Sequence, residues 1–281
     1  GLDEMMGGRG FLRGSTILVS GTAGTGKSSI AAHLVASACA RGERAIYFSF
    51  EESPDQLVRN MRSIGLDLEP WVKRRVLSFV ATRPSAYGLE THLLELHRQV
   101  EEARPSGVVL DPVSDLMGIG QRADVHTMLT RLIDHLKSRE ITALLTSLTA
   151  GASAVPGSEA GISSLIDTWI VVHSFETVGE RNRGIGIVKS RGMEHSNQVR
   201  EFRLSGEGIS LLDFYRGTDA ILTGSARETR LREAAQEIDR ARIDLERRRR
   251  ETEIQIESLN ARLATEKEQL DAMVDRETRA G

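Results

Sequence analysis

Eight consecutive residues carry the strongest chemical signal in this chain. Gly21-Thr22-Ala23-Gly24-Thr25-Gly26-Lys27-Ser28 match the pattern GxxxxGK[ST] at every defined position. Glycines at that spacing let the backbone close around a polyphosphate with its N–H groups turned inward, and a helix starting there adds the positive end of its dipole. Lys27 is suited to neutralise charge between the β- and γ-phosphates and Ser28 to offer a hydroxyl to Mg²⁺, with Ser29 next in line among the ATP-binding residues. A carboxylate must support that metal. Asp111 closes the apolar run Val108-Val109-Leu110, where a strand-end Asp either serves a metal or caps a turn; with the phosphate loop upstream, the metal role is the expectation. Glu51 and Glu52 end another apolar run, RAIYFSF. Phosphoryl chemistry needs a group that orients and deprotonates the attacking hydroxyl or water. Glu51 is expected to be that base and Glu52 to support it on the metal side, the competing reading being an acidic start for the helix SPDQLVRNMRS.

The elements that must position these residues follow from the apolar pattern. Short β-branched runs (TILVS, RAIYFSF, RVLSFV, VVLD, ITALLTSL, TWIVVHS) alternate with helix-like stretches, which predicts an α/β fold with a mainly parallel sheet covered on both faces. In such a sheet the strands end on one rim, so Glu51, Glu52 and Asp111 are expected to face the crevice of residues 21–28. Further on, GIGIVKSR, VREFRLS and GISLLDFYR follow one another without helices, which predicts antiparallel strands added to one edge.

Composition then changes. Residues 225–281 hold 27 charged residues in 57, against 50 in the 224 before them. This predicts two domains, an α/β domain over residues 1–224 and a helical extension over 225–281. A 3-4 spaced seam from Leu231 through Leu245, Ile256, Leu259, Leu263 and Leu270 to Met273 and Glu277 proposes a coiled coil, against a single solvated helix held by i,i+4 charge pairs. No apolar run reaches the ~20 residues of a membrane helix. The first residues, Gly1, Leu2, Asp3 and Glu4, lack the cationic start of a signal peptide, and the start at Gly1 rather than Met leads us to expect a piece of a longer, cytoplasmic protein. A lone cysteine, Cys39, excludes an internal disulfide and reads as a small buried hydrophobe. A net charge of -3 and 4% aromatic residues argue against nucleic acid as the partner.

LDEMMGG, GTAGTGKS, ERAIYFSFEESPDQLVRN, VVLDPVSDL, GISSLIDTWIVV and IVKSRG, taken in this order over residues 2 to about 215, resemble the KaiC family of RecA-like ATPases, and its second, kinase-bearing half in particular. The resemblance implies a homohexamer with ATP and Mg²⁺ bound between subunits. It implies that Ser163 and Ser164 accept phosphate, with Ser where the family's second acceptor is Thr. Lys189 and Arg191 are implied to reach the γ-phosphate of a neighbour's ATP; read without the family, they are edge-strand charges that discourage sheet pairing. It further implies slow dephosphorylation and a KaiB-like partner. The tail that meets the activator KaiA is replaced here by the charged helix, so dependence on KaiA does not carry over. About 50 helical residues would extend ~75 Å, enough to join two hexamers through paired helices. Two other classes stay open: a RecA-like DNA-dependent ATPase, and a nucleotide-gated scaffold that barely turns over.

Overall fold

The computed structural model describes residues 1–149, 164–177, 180–212, 215–216 and 221–222, and, in the charged stretch, 229, 232–233, 235–236, 239–240, 242–253, 255–256 and 259. Two compact units divide the chain, Gly1–Thr223 and Gly224–Gly281.

The first unit is built on a nine-stranded sheet. Its strands are β1 (Thr16–Gly21), β2 (Ala45–Ser49), β3 (Leu77–Ala81), β4 (Gly107–Asp111), β5 (Thr142–Leu148), β6 (Thr168–Thr177), β7 (Glu180–Ser190), β8 (Arg200–Ser205) and β9 (Gly208–Leu212), in the order β3-β2-β4-β5-β1-β6-β7-β8-β9. Every pairing from β3 to β6 is parallel, and β6 through β9 are antiparallel. The apolar runs are continuous because both faces of the parallel strands are covered. Ile17, Val19, Tyr47, Val109 and Leu144 pack under α2 (Lys27–Ala40), against Ile30, Ala31 and Val35. Leu18, Ile46, Phe48, Val108, Leu110 and Leu145 turn the other way, onto Leu96 and Val100 of α5 (Leu89–Ala103) and Leu129, Leu132 and Leu136 of α6 (Arg122–Ser138). Fully burying each Leu, Ile or Val side chain contributes ~1.5–3 kcal/mol, so these two layers hold the sheet between them. Cys39 is buried, and desolvation pushes its thiol up to about 11.

Polar anchors fix the strand entries. Asp167 accepts from the backbone N–H of Thr16 at 2.8 Å and pairs with Lys137 at 2.8 Å, so one carboxylate ties the start of β1, the end of α6 and the entry to β6. Deeper in, the Trp169 indole N–H donates to Ser20 Oγ at 2.8 Å. After β2, helix α3 (Pro54–Ser63) begins with a reciprocal capping box between Ser53 and Gln56, so the cap is a serine and neither glutamate is used for it.

In the second unit residues 242–253 are helical. Arg242–Glu246, Arg247–Glu251 and Arg249–Glu253 pair at i,i+4, while Leu245, Ile256 and Leu259 of the expected seam are exposed. Seam positions Leu231, Ile238, Leu263, Leu270, Met273 and Glu277 lie outside the described residues. Among the described residues, no helix is long and apolar enough to cross a membrane.

Candidate functional site

The phosphate loop leaves β1 at Gly21 and enters α2 at Lys27. Its glycines are required by geometry. A Cβ on Gly21 would lie 2.4 Å from the Val172 carbonyl oxygen, and one on Gly26, at φ +98°, would lie 2.7 Å from the ring of Phe202. Gly24, at φ +74°, faces open space. Thr25, buried, donates from its hydroxyl to the Thr22 carbonyl at 2.8 Å and closes the loop on itself. The N–H groups of Ala23, Gly24 and Gly26 find no acceptor among the described residues. Lys27 Nζ, buried, donates to the carbonyls of Gly21 at 2.9 Å and Thr22 at 2.8 Å, so the ammonium folds back over its own loop. Backbone N–H donors left for a ligand, beside a buried lysine, fit a bound polyphosphate. Ser28 is half-buried at the first turn of α2 and Ser29 is buried behind it.

The carboxylates gather on the same rim, because β1, β2, β4 and β5 run parallel and end together. Asp111 is buried and accepts from the Tyr47 phenol and the Thr146 hydroxyl, one on each oxygen. With Ser28 near, this donor set fits Mg²⁺, a hard cation that takes one or two protein oxygens beside those of a phosphate. Glu51 follows β2. Partial desolvation, then the charges of Asp115, Asp111 and Glu52, hold its carboxyl above the usual range, with Lys27 opposing them. Glu52 is held differently: its backbone N–H donates to Ser49 Oγ at 3.1 Å, and its carboxylate accepts from the Asn60 amide at 3.3 Å.

The remaining expected residues stand elsewhere. In the β1–β6 register Ile17 is level with Thr168 and Gly21 with Val172. In the β6–β7 register Trp169 faces Lys189 and Thr168 faces Ser190. Lys189 and Arg191 therefore lie on the rim where the parallel strands begin, about 13 Å of strand from the loop at the level of Thr168. Lys189 is on β7; Arg191 is just past its end, its N–H donating to the Asp167 carbonyl at 2.9 Å. Burial, then the charge of Arg191, lowers the pKa of Lys189 from its ordinary value. Ser164 is exposed in a turn, and Ser163 lies outside the described residues.

Four residues of the phosphate rim were not singled out from sequence. Tyr47 and Thr146 read only as apolar-strand members, and Asp115, whose carboxyl is raised by burial and by Asp111, sits one turn past it in the 3₁₀ helix Val113–Gly118. Arg183 Nε donates to the Gly24 carbonyl at 3.3 Å from β7, bringing the antiparallel edge to the loop. Only Asp115 left a trace, as the second acid of the run DPVSD.

Comparison with known proteins agrees with this geometry. A family model described as the KaiC ATPase matches residues 1–214. The chain is 43% identical over 282 residues to circadian clock protein KaiC2 of a Synechocystis species, a match covering 97% of this chain and 50% of that protein. It is 36% identical over 228 residues to circadian clock oscillator protein KaiC of Synechococcus elongatus, covering 80% of this chain and 43% of that protein. The chain thus spans about half the length of the curated relatives it matches. A phosphate loop, rim carboxylates and an antiparallel edge in this order, with such matches over most of the sequence, make the chain a member of the KaiC family of RecA-like ATPases.

Proposed function

We propose that this chain is an ATP-dependent serine autokinase and ATPase of the KaiC circadian clock type, acting across the subunit interfaces of a homohexamer, with autodephosphorylation at the same sites. ATP lies on residues 21–28, where Lys27 leaves its loop carbonyls for the β- and γ-phosphates. Ser28 and Asp111, with Glu52 beside them, would hold Mg²⁺, which would neutralise charge on the phosphate oxygens. Glu51 takes the proton of the attacking hydroxyl. The serine oxygen bonds to the γ-phosphorus as the bond to the ADP oxygen breaks, and water in place of serine gives hydrolysis. Lys189 and Arg191 of the neighbouring copy meet the charge that develops on the transferred group. Ser163 and Ser164 of that copy are the acceptors.

The observation that carries this reading is the separation of the two rims. Lys189 and Arg191 stand at the strand starts while the loop and Glu51 stand at the strand ends, which supports a site completed by a second copy. A carboxyl already raised by burial and then by its neighbours is also a stronger base than an isolated one. We further propose a KaiB-like protein as partner, no dependence on KaiA, and a cytoplasmic setting. Mass spectrometry after incubation with Mg-ATP tests the kinase: phosphate is expected on Ser163 or Ser164, and none in a Glu51→Gln variant. Turnover of ATP without serine phosphate would leave an ATPase and remove the kinase. Turnover that rises with added DNA would favour the RecA-like motor, and binding without turnover the scaffold.

A further inference from the structure

Beneath the phosphate loop, two strands bring hydroxyls to one carboxylate on the strand between them. Tyr47 on β2, Asp111 on β4 and Thr146 on β5 share the parity of Val109 and Leu144, the residues that face α2. Tyr47 and Thr146 are fully buried. The Tyr47 phenol donates to Asp111 Oδ2, and the Thr146 hydroxyl donates to Asp111 Oδ1. The Ser28 side chain, at the first turn of α2, is a polar neighbour of the Tyr47 phenol. One phenol thus links the two groups placed on the metal side of the nucleotide.

That link answers a chemical requirement. A serine hydroxyl ligates a cation through a lone pair, so its proton needs an acceptor pointing away from the metal. Mg²⁺ tolerates little deviation from octahedral geometry, so the direction of that lone pair matters. The carboxylate has the same need, since with one donor on each oxygen its plane is fixed and a lone pair on each is left for the metal or its waters. Tyr47 serves both groups, and Thr146 completes the second.

We infer that Tyr47 is a positioning residue for the metal: its single hydroxyl orients Ser28 and Asp111 together, so that both turn lone pairs toward Mg²⁺. This rests on the reading of residues 21–28 as an Mg-ATP site. A phenylalanine at this position keeps the ring in the core, where Tyr47 packs 5.5 Å from Phe79, and removes only the oxygen.

The test is binding of a fluorescent ATP analogue to the whole chain, in Mg²⁺ and in EDTA. In Tyr47→Phe, affinity in Mg²⁺ is expected to fall roughly tenfold, in line with other residues that orient metal ligands. Affinity in EDTA should stay within about twofold and the nucleotide-free melting temperature within a few degrees, since this substitution is nearly isosteric. Equal losses in both buffers, or an unchanged Mg²⁺ increment, would overturn the role. Should Tyr47→Phe not fold, the isosteric Thr146→Val carries the same comparison on the other carboxylate oxygen. Wild-type protein that binds the analogue equally in both buffers would instead overturn the reading of the site itself.

Discussion

At the scale of single residues, the loop is held by contacts that leave its donors open. Lys27 donates to the Gly21 and Thr22 carbonyls, and Thr25 staples the turn, so contacts within the loop fix its form. Gly26 is constrained in two ways. A side chain there faces both a left-handed backbone and the ring of Phe202 from β8, which is buried and has little room to move. Gly26→Ala is expected to cost about 1–3 kcal/mol of stability, with loss of nucleotide binding, read by chemical denaturation and by titration with ATP. Ala at Gly24, where no atom lies within 4 Å of the added carbon, should suffer only the conformational part of that cost. Much of this was legible beforehand, because the glycine spacing names the loop and the carboxylates at strand ends name its rim. Tyr47 and Thr146 were not, because an inward-facing strand position looks the same whether its hydroxyl serves a carboxylate or merely fills space. Their role depends on strand order, and β2, β4 and β5 are far apart in sequence.

Among the elements, the alternation of runs predicted the parallel sheet and its antiparallel edge, and the nine strands have that arrangement. Register was the missing quantity: that Lys189 faces Trp169, and so stands far from the loop, follows from pairing rather than from the residues. The helix layer behind the sheet holds a feature with no sequence signal. His97 of α5 and His135 of α6 stack at 4.0 Å, beside Glu101 and Arg139. Burial, then the positive neighbours His135 and Arg139, lowers the pKa of His97; burial and Arg139 lower that of His135, while Glu101 opposes both shifts. A pKa depressed in the fold means the unfolded chain binds the extra proton first, so stability is full above the ordinary value of 6.5 and declines as pH falls below it. Denaturation midpoints at pH 7.5 and 5.5 should differ, and the gap should narrow in His97→Phe. A gap of the same size in that variant would show that the pair does not carry the effect.

For the whole molecule, the charged segment is the open quantity. The KaiC2 match takes in 97% of this chain and the KaiC match of Synechococcus elongatus 80%, so similarity to KaiC2 runs well into residues 225–281. Its described part carries both i,i+4 ion pairs, worth only ~0.3–0.5 kcal/mol each on a helix surface, and exposed Leu245, Ile256 and Leu259. Pairs that weak do not account for a row of exposed apolar side chains, which is why we expect partner helices. If the segment joins two rings, removing residues 225–281 should halve the number of subunits per particle, read from the mass seen by light scattering with ATP present. A mass reduced only by the deleted residues would leave the segment as a solvated helix.

The opposite placement of loop and cations has a consequence for damaged assemblies. Each copy would act as donor toward one flank and as acceptor toward the other, so a lesion is felt next door rather than at home. In mixed particles, a subunit crippled at Lys27 should still become labelled itself, while the serines it was meant to serve stay bare. A subunit without its own acceptor serines should show the reverse inheritance. Isotope-tagged mixtures would thus reveal the direction in which phosphate circulates around the ring.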